Sequence, residues 1–155
     1  GGATERVMHQ WRDTLRAHGR ETELGGTAAI GFYLSIADSR AEAIRNAQPY
    51  YEEHVKMFGP LNMVAGLSPE QIEATKDPAL APTAGIPGVE QLAQEGAYLV
   101  GTPEEIGDAL EGVQERYPGL EDVSLSFAIS TPVAQVIEQL SRFAAEVMPR
   151  FRGAG

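Results

Sequence analysis

Polar side chains follow two alternating apolar segments of the chain, and their types suit anion binding. Asp38, Ser39 and Arg40 come directly after the first segment, and Ser130 and Thr131 come directly after the second. Active sites collect at the carboxyl ends of parallel strands, and a helix that starts there attracts phosphate through its free N–H groups. The same residue types also cap helices with no further role. The sequence leaves both interpretations open.

Histidine is the other residue type in this chain that could do chemistry near neutral pH. His54 lies in a helical segment beside Tyr50 and Tyr51, where it could serve as an acid or base. The alternative is a half-buried surface histidine. His9 and His18 share no metal-ligand spacing with it, so no metal site is predicted.

A strand and a helix must position Asp38, Ser39 and Arg40. Bulky and small residues alternate from 27 to 37, which predicts a strand with one bulky hydrocarbon face and one mostly small face. Ser39 and Glu42 have the spacing of a capping box, so a helix should begin there. Pro49 lies inside this helix and is expected to kink it or split it in two.

A second strand is predicted from 120 to 130, with bulky and small faces like those of the first. Thr131-Pro132 should start the last helix, which carries an apolar stripe up to Pro149. Both strands contain the pattern Leu-Ser-apolar-Ala-x-Ser, which repeated βα units would produce and chance could also produce. Four residues on the small faces could line a pocket or simply pack: Tyr33, Ser35, Ser124 and Ser126.

The clearest helix start in the chain lies between these strands. Thr102 can cap the helix, Pro103 suits its first position, and Glu105 completes a capping box. A short third strand is indicated just before it, at 98–100. The stretch 63–89 holds four prolines and three glycines around a short helical piece, and such long insertions are either lids or plain insertions.

Composition sets the broad class of protein. With 155 residues, 43% of them hydrophobic, one domain with a real core is expected. The 22 acidic and 12 basic residues give a net charge of -10, which would repel nucleic acid. The lack of cysteine excludes disulfides and is compatible with a cytoplasmic location, and no apolar run is long enough for a membrane span. The start Gly1-Gly2-Ala3 suggests a tag remnant or an internal piece of a longer chain.

Four segments occur in an order and spacing that resemble the C-terminal part of the luciferase-like monooxygenases. They are the first helix with Trp11-Arg12 and its end at 15–19, the junction at 36–43, the turn at 100–105 and the closing segment at 143–149. The resemblance spans nearly the whole chain. It implies an α/β fold class, a partial (β/α)8 TIM barrel made of C-terminal βα units with a helix-rich insertion. In that family the position of 63–89 can cover the active site, which makes this insertion a lid candidate.

The resemblance also implies a function. Members of the family are flavin-dependent oxidoreductases, in which reduced FMN, or a deazaflavin in some branches, reacts with oxygen or passes a hydride to an organic substrate. Ser39, Arg40, Ser130 and Thr131 become the candidate cofactor-binding residues, and catalytic residues stay unassigned. The substrate is not defined by a resemblance of fold.

The chain is shorter than such a barrel, which needs eight strands and typically ~250 residues. Residues 1–155 are therefore expected to be a single C-terminal fragment, inactive alone and without most of the flavin contacts. Open sheet edges should make it pair with the missing N-terminal half or with a second copy, as a homo-oligomer. The alternative is a non-catalytic α/β assembly or binding module that retains half of the barrel as a scaffold.

Overall fold

The computed structural model describes residues 2–64, 67–81 and 84–152 as an α/β fold. These ranges contain six α-helices and three strands, and the last helix continues through a π-helical turn, Phe143–Val147, into a 3-10 turn, Met148–Arg150. In chain order the elements are α1 (Gly2–Ala17), β1 (Ala29–Ile36), α2 (Arg40–Phe58), α3 (Pro69–Thr75), α4 (Val89–Gln94), β2 (Tyr98–Gly101), α5 (Pro103–Arg116), β3 (Asp122–Ser126) and α6 (Val133–Arg142).

The three strands form one parallel sheet in the order β2-β1-β3. The connection from β1 to β2 crosses the sheet in one direction, and the connection from β2 to β3 crosses it in the other. Right-handed crossovers in opposite directions place their helices on opposite faces. Accordingly, α2 and α4 pack on one face, while α5 and the π-helical turn pack on the other.

The alternating residues of β1 supply the middle of both cores, as the sequence pattern predicts. Phe32, Leu34 and Ile36 are buried against α5 and the π-helical turn. The smaller face, which includes Ser35 and Ala37, lies under α2. A strand covered on both faces is typical of parallel sheets.

The fold class is confirmed as α/β with parallel strands, but this sheet does not show a partial barrel. Consecutive strands of a (β/α)8 barrel lie side by side in chain order, which would place β2 in the middle. In this structure β1 is in the middle. The sheet is therefore open, with helices on both of its faces.

Two elements differ from their predicted form. α2 is not split at Pro49 but runs through it as one helix, whose buried residues on both sides of the proline, such as Ala43 and Val55, lie in the same core; a kink at Pro49 stays a prediction. β3 ends at Ser126, well short of the predicted residue 130, and four of its five residues are exposed. Both β2 and β3 are edge strands, but α2, α4 and α5 pack on β2, whereas no helix of the described residues packs as closely on β3.

The insertion at 63–89 contains the predicted short helical piece as α3, and Ser68 starts this helix with a complete capping box. Residues 65, 66, 82 and 83 of the insertion, like residues 1 and 153–155, lie outside the described residues. Its role as a lid stays a prediction. In the described ranges no helix combines the length and apolar character that crossing a membrane requires.

Candidate ligand-binding cleft

A cleft of about 740 Å³ opens at the carboxyl end of β1, between α2 and α6. After β1 the chain continues into α2 on one face of the sheet, and after β3 it continues through α6 to the π-helical turn on the other face. Open α/β sheets bind their ligands where neighbouring strands lead to opposite faces in this way. The first half of α2 and the whole of α6 form its walls. Polar groups predominate there, including Asn46, Tyr50 and Gln135.

Charges of both signs line the cleft. Arg142 donates to Glu146 at 3.0 Å and forms an ion pair with Asp38 at 3.1 Å. The hydrogen bond to Glu146 and, more weakly, the charges of Glu146 and Asp38 raise the pKa of Arg142 above its ordinary value. Glu42, Glu138 and Arg45 complete the charged lining. The cleft therefore holds three carboxylates and two guanidinium groups. One of the guanidinium groups, that of Arg142, is already paired with Asp38.

The candidate residues after β1 both make contacts within the chain. The Ser39 hydroxyl accepts a hydrogen bond from the Glu42 N–H at 3.3 Å, so Ser39 caps α2 as its spacing predicts. Arg40 donates from Nη1 to the Val100 carbonyl at 2.9 Å. The carbonyls of Ala97 and Gly101 accept from β1, so the Val100 carbonyl between them points to the outer edge of β2. Arg40 therefore occupies part of that open edge.

The candidate residues after β3 do not form the predicted helix cap. Thr131 donates its hydroxyl to the Ala128 carbonyl at 2.6 Å, which stabilises a turn before the helix. The residue in the cap position is Pro132, which has no hydroxyl to offer the first turn. Ser130 has a φ of 70° and lies exposed within the turn. The prediction of Thr131 as a cap was wrong because the chain turns sharply at Ser130 before α6 begins.

These contacts reduce the donors that a flavin phosphate would need but do not remove them. A phosphate needs several free donors and a positive surrounding. The hydroxyl of Thr131 already donates within the chain, and three carboxylates line the cleft, but Arg40 uses only one of the five N–H groups of its guanidinium in the bond to Val100. The role of the four residues in cofactor binding stays a prediction.

Sequence reasoning missed the polar residue that is most deeply buried at the cleft. Gln139 is 5% exposed and bonds to both backbone groups of Ile36. A glutamine on the apolar side of an amphipathic helix was the available signal. Its partner lies 103 residues away, so no local pattern could identify it.

His54 lies in an aromatic cluster on the α2 side of the sheet. Its Nε2 is 3.0 Å from the Tyr33 hydroxyl, and its ring lies against Tyr51 and Phe58. Its Nδ1 is buried and has no hydrogen-bond partner among the described residues. Burial lowers the pKa of His54 and, together with the neighbouring charges, raises the pKa of Tyr51 to about 12. A neutral histidine packed among rings is a structural group, which agrees with the half-buried alternative.

A metal site is not formed by the part of the chain that the structure describes. No group of three His, Asp or Glu side chains in it lies close enough to hold an ion.

Two solved structures resemble this fold over nearly its whole length. Monooxygenase RslO1 from Streptomyces bottropensis matches 95% of this chain with a TM-score of 0.56 at 16% identity. The oxygenating constituent of the 3,6-diketocamphane monooxygenase of Pseudomonas putida, a type II Baeyer-Villiger monooxygenase in complex with FMN, matches 94% with a TM-score of 0.62 at 18% identity. This chain spans 37% and 39% of those proteins. No protein-family model matches the sequence, and no curated protein matches it.

At these identities the comparison shows a shared fold. Both neighbours are monooxygenases, one of them with FMN bound, and each is more than twice as long as this chain. The class that the comparison defines is therefore an α/β fold shared with less than two-fifths of the length of each of these proteins.

Proposed function

We propose that this chain is the C-terminal part of a flavin-dependent oxidoreductase of the luciferase-like monooxygenase type. The observation that carries the proposal is the match of 94% of the chain to a monooxygenase in complex with FMN. The same family is the one that the sequence segments resemble. The motif order and the backbone path thus favour one class of enzyme.

The proposed whole protein is a (β/α)8 barrel, with this chain providing its last βα units. In such a barrel β3 would lie beside β2. In the chain alone, β3 lies against β1, on the edge that a preceding barrel strand would use. The short pairing of β3 and its exposed side chains support an arrangement adopted because the remaining strands are not there.

Flavin chemistry in the proposed enzyme needs the remainder of the barrel. Reduced FMN, or a deazaflavin, would supply electrons to oxygen or a hydride to an organic substrate. Ser39, Arg40, Ser130 and Thr131 would lie at the carboxyl ends of strands, on the side where barrels bind their ligands. Alone, the chain is expected to be inactive, and the missing half or a second copy is its proposed partner.

A non-catalytic assembly or binding module is the second candidate. The donated hydroxyl of Thr131 and the mixed charge of the cleft favour it, because neither suits a phosphate.

The test is to isolate the polypeptide from its source cells under native conditions and to measure its mass by light scattering and its absorption spectrum. We expect an assembly or a longer chain that is heavier than 16.6 kDa and carries a flavin, whose spectrum distinguishes FMN from a deazaflavin. A compact, colourless 16.6 kDa monomer that leaves the fluorescence of added FMN unchanged would overturn the proposal and favour the binding module.

A further inference from the structure

The last helix, α6, exposes the apolar stripe that its sequence pattern marks for burial. Val133 is 74% exposed, Ile137 is 59% exposed and Leu140 is 43% exposed. The core contacts of this region are made instead by the π-helical turn, through Phe143 and Val147. A helix of this kind normally buries its stripe, so the stripe lacks a partner among the described residues.

The spacing of these three residues suits another helix. They follow one another at intervals of four and three, as the a and d positions of a coiled coil do. The residues beside them on the helix surface, Ala134 and Ser141, are small and uncharged, so a second helix can approach closely. We define these five residues as the α6 seam.

Charge does not oppose an identical partner at this place. The chain carries a net charge of -10, so two copies repel each other over most of their surfaces. The seam has no charged residue. The two charged residues of α6, Glu138 and Arg142, line the cleft instead, and Arg142 is bound to Asp38 there.

The seam is also nearly symmetric about its centre. An apolar residue lies four positions before Ile137 and another lies three positions after it. If two copies of α6 cross antiparallel about a two-fold axis at Ile137, Val133 of each copy meets Leu140 of the other. Such self-complementarity is what an isologous dimer requires.

We propose that the α6 seam is a dimer interface that pairs this chain with a second copy of itself. The pairing shares only Ala134 with the lining of the cleft and does not depend on the proposed flavin chemistry. A dimer would therefore survive the failure of the flavin proposal, and a flavin-binding assembly would survive the failure of the seam.

Light scattering over concentrations up to about 0.3 mM tests the interface. The wild-type chain should approach twice its mass of 16.6 kDa, while Ile137→Glu should remain at 16.6 kDa. Val7→Glu is the matched control, because Val7 is 61% exposed on α1 and should leave dimerisation unchanged. Since both sites are exposed, both variants should keep the helix content of the wild type.

A cross-link provides the second measurement. The chain has no cysteine, so Ile137→Cys and Val7→Cys each carry a single thiol. Packed helices bring residues on a two-fold axis to a Cα separation of about 4–6 Å, which a disulfide can span. Mild oxidation should convert Ile137→Cys to a covalent dimer and leave Val7→Cys largely monomeric. A wild-type monomer at every concentration, or equal cross-linking of the two variants, would overturn the proposal.

Discussion

Gln139 pairs with the backbone of Ile36 as a neighbouring strand would. Its Nε2 donates to the Ile36 carbonyl at 2.9 Å, and the Ile36 N–H donates to its Oε1. On the other side of β1, the Ala37 N–H donates to Gly101, so the groups of Ile36 point toward the edge where β3 has already ended. One side chain thus satisfies the two backbone groups that the short strand leaves without a partner.

We predict that Gln139→Leu lowers the free energy of unfolding by about 2–4 kcal/mol, because a buried donor and a buried acceptor each lose their partner. Urea unfolding followed by circular dichroism measures the change. Gln135→Leu, one turn earlier on the same helix, is the control and should cost less than about 1 kcal/mol. Equal losses in the two variants would mean that the amide pair contributes nothing specific.

The buried position of His54 predicts a dependence of stability on pH. Burial lowers its pKa in the folded state, whereas the unfolded chain has an ordinary pKa near 6.5. The unfolded state therefore binds a proton more readily, and the contribution of His54 to stability, complete above about pH 6.5, is lost as the pH falls below it.

Urea midpoints measured between about pH 7.5 and about pH 5 give the test, because the carboxylates titrate mostly below this window. His54→Phe should flatten the decline. His18→Gln, at an exposed histidine whose Nδ1 lies 2.8 Å from the Thr14 carbonyl, should retain it. A wild-type midpoint that is constant over this range would contradict the prediction.

Helix caps could be predicted from the sequence. Ser39 and Thr102 each cap a helix where the spacing predicts it, because each cap and the N–H group that it binds are three residues apart. The helix α4 was missed, since it begins after Gly88, which has no side chain to signal a cap.

Burial and strand pairing were not readable in the same way, because they depend on residues far along the chain. The alternating pattern of 120–130 resembles that of β1, yet the pairing covers only 122–126. The stripe of α6 has the correct period for a buried face, but no element of the described chain covers Ile137. A pattern shows which face prefers burial, whereas the partner decides whether burial occurs.

The two threonines at predicted helix starts should respond differently to the same substitution. Thr102 accepts from the Glu105 N–H, and Glu105 accepts from the Thr102 N–H at 2.8 Å, so Thr102→Ala should cost about 1 kcal/mol of stability. Thr131 binds only the Ala128 carbonyl in a turn, so Thr131→Ala should cost less. Thermal unfolding of the two variants provides the comparison, and a larger loss for Thr131→Ala would restore the helix-cap interpretation of that residue.

The close approach of Gly119 and Gly26 holds the segment before β1 against the turn before β3. The Gly119 N–H donates to the Leu24 carbonyl at 2.9 Å, and a Cβ on Gly119 would lie 2.7 Å from the Gly26 nitrogen. Main-chain atoms on both sides leave little room to move, so Gly119→Ala should destabilise the fold by about 1–3 kcal/mol.

The matched control for this substitution is Gly112→Ala. Gly112 lies on the exposed side of α5, where an added Cβ meets no atom within 4 Å among the described residues, so alanine should stabilise the helix by about 0.5–1 kcal/mol. Urea unfolding of both variants measures the two effects with opposite signs. If Gly119→Ala instead matched the gain of Gly112→Ala, the two segments could not be in contact, and β3 would have to be held at the edge of β1 by its ladder alone.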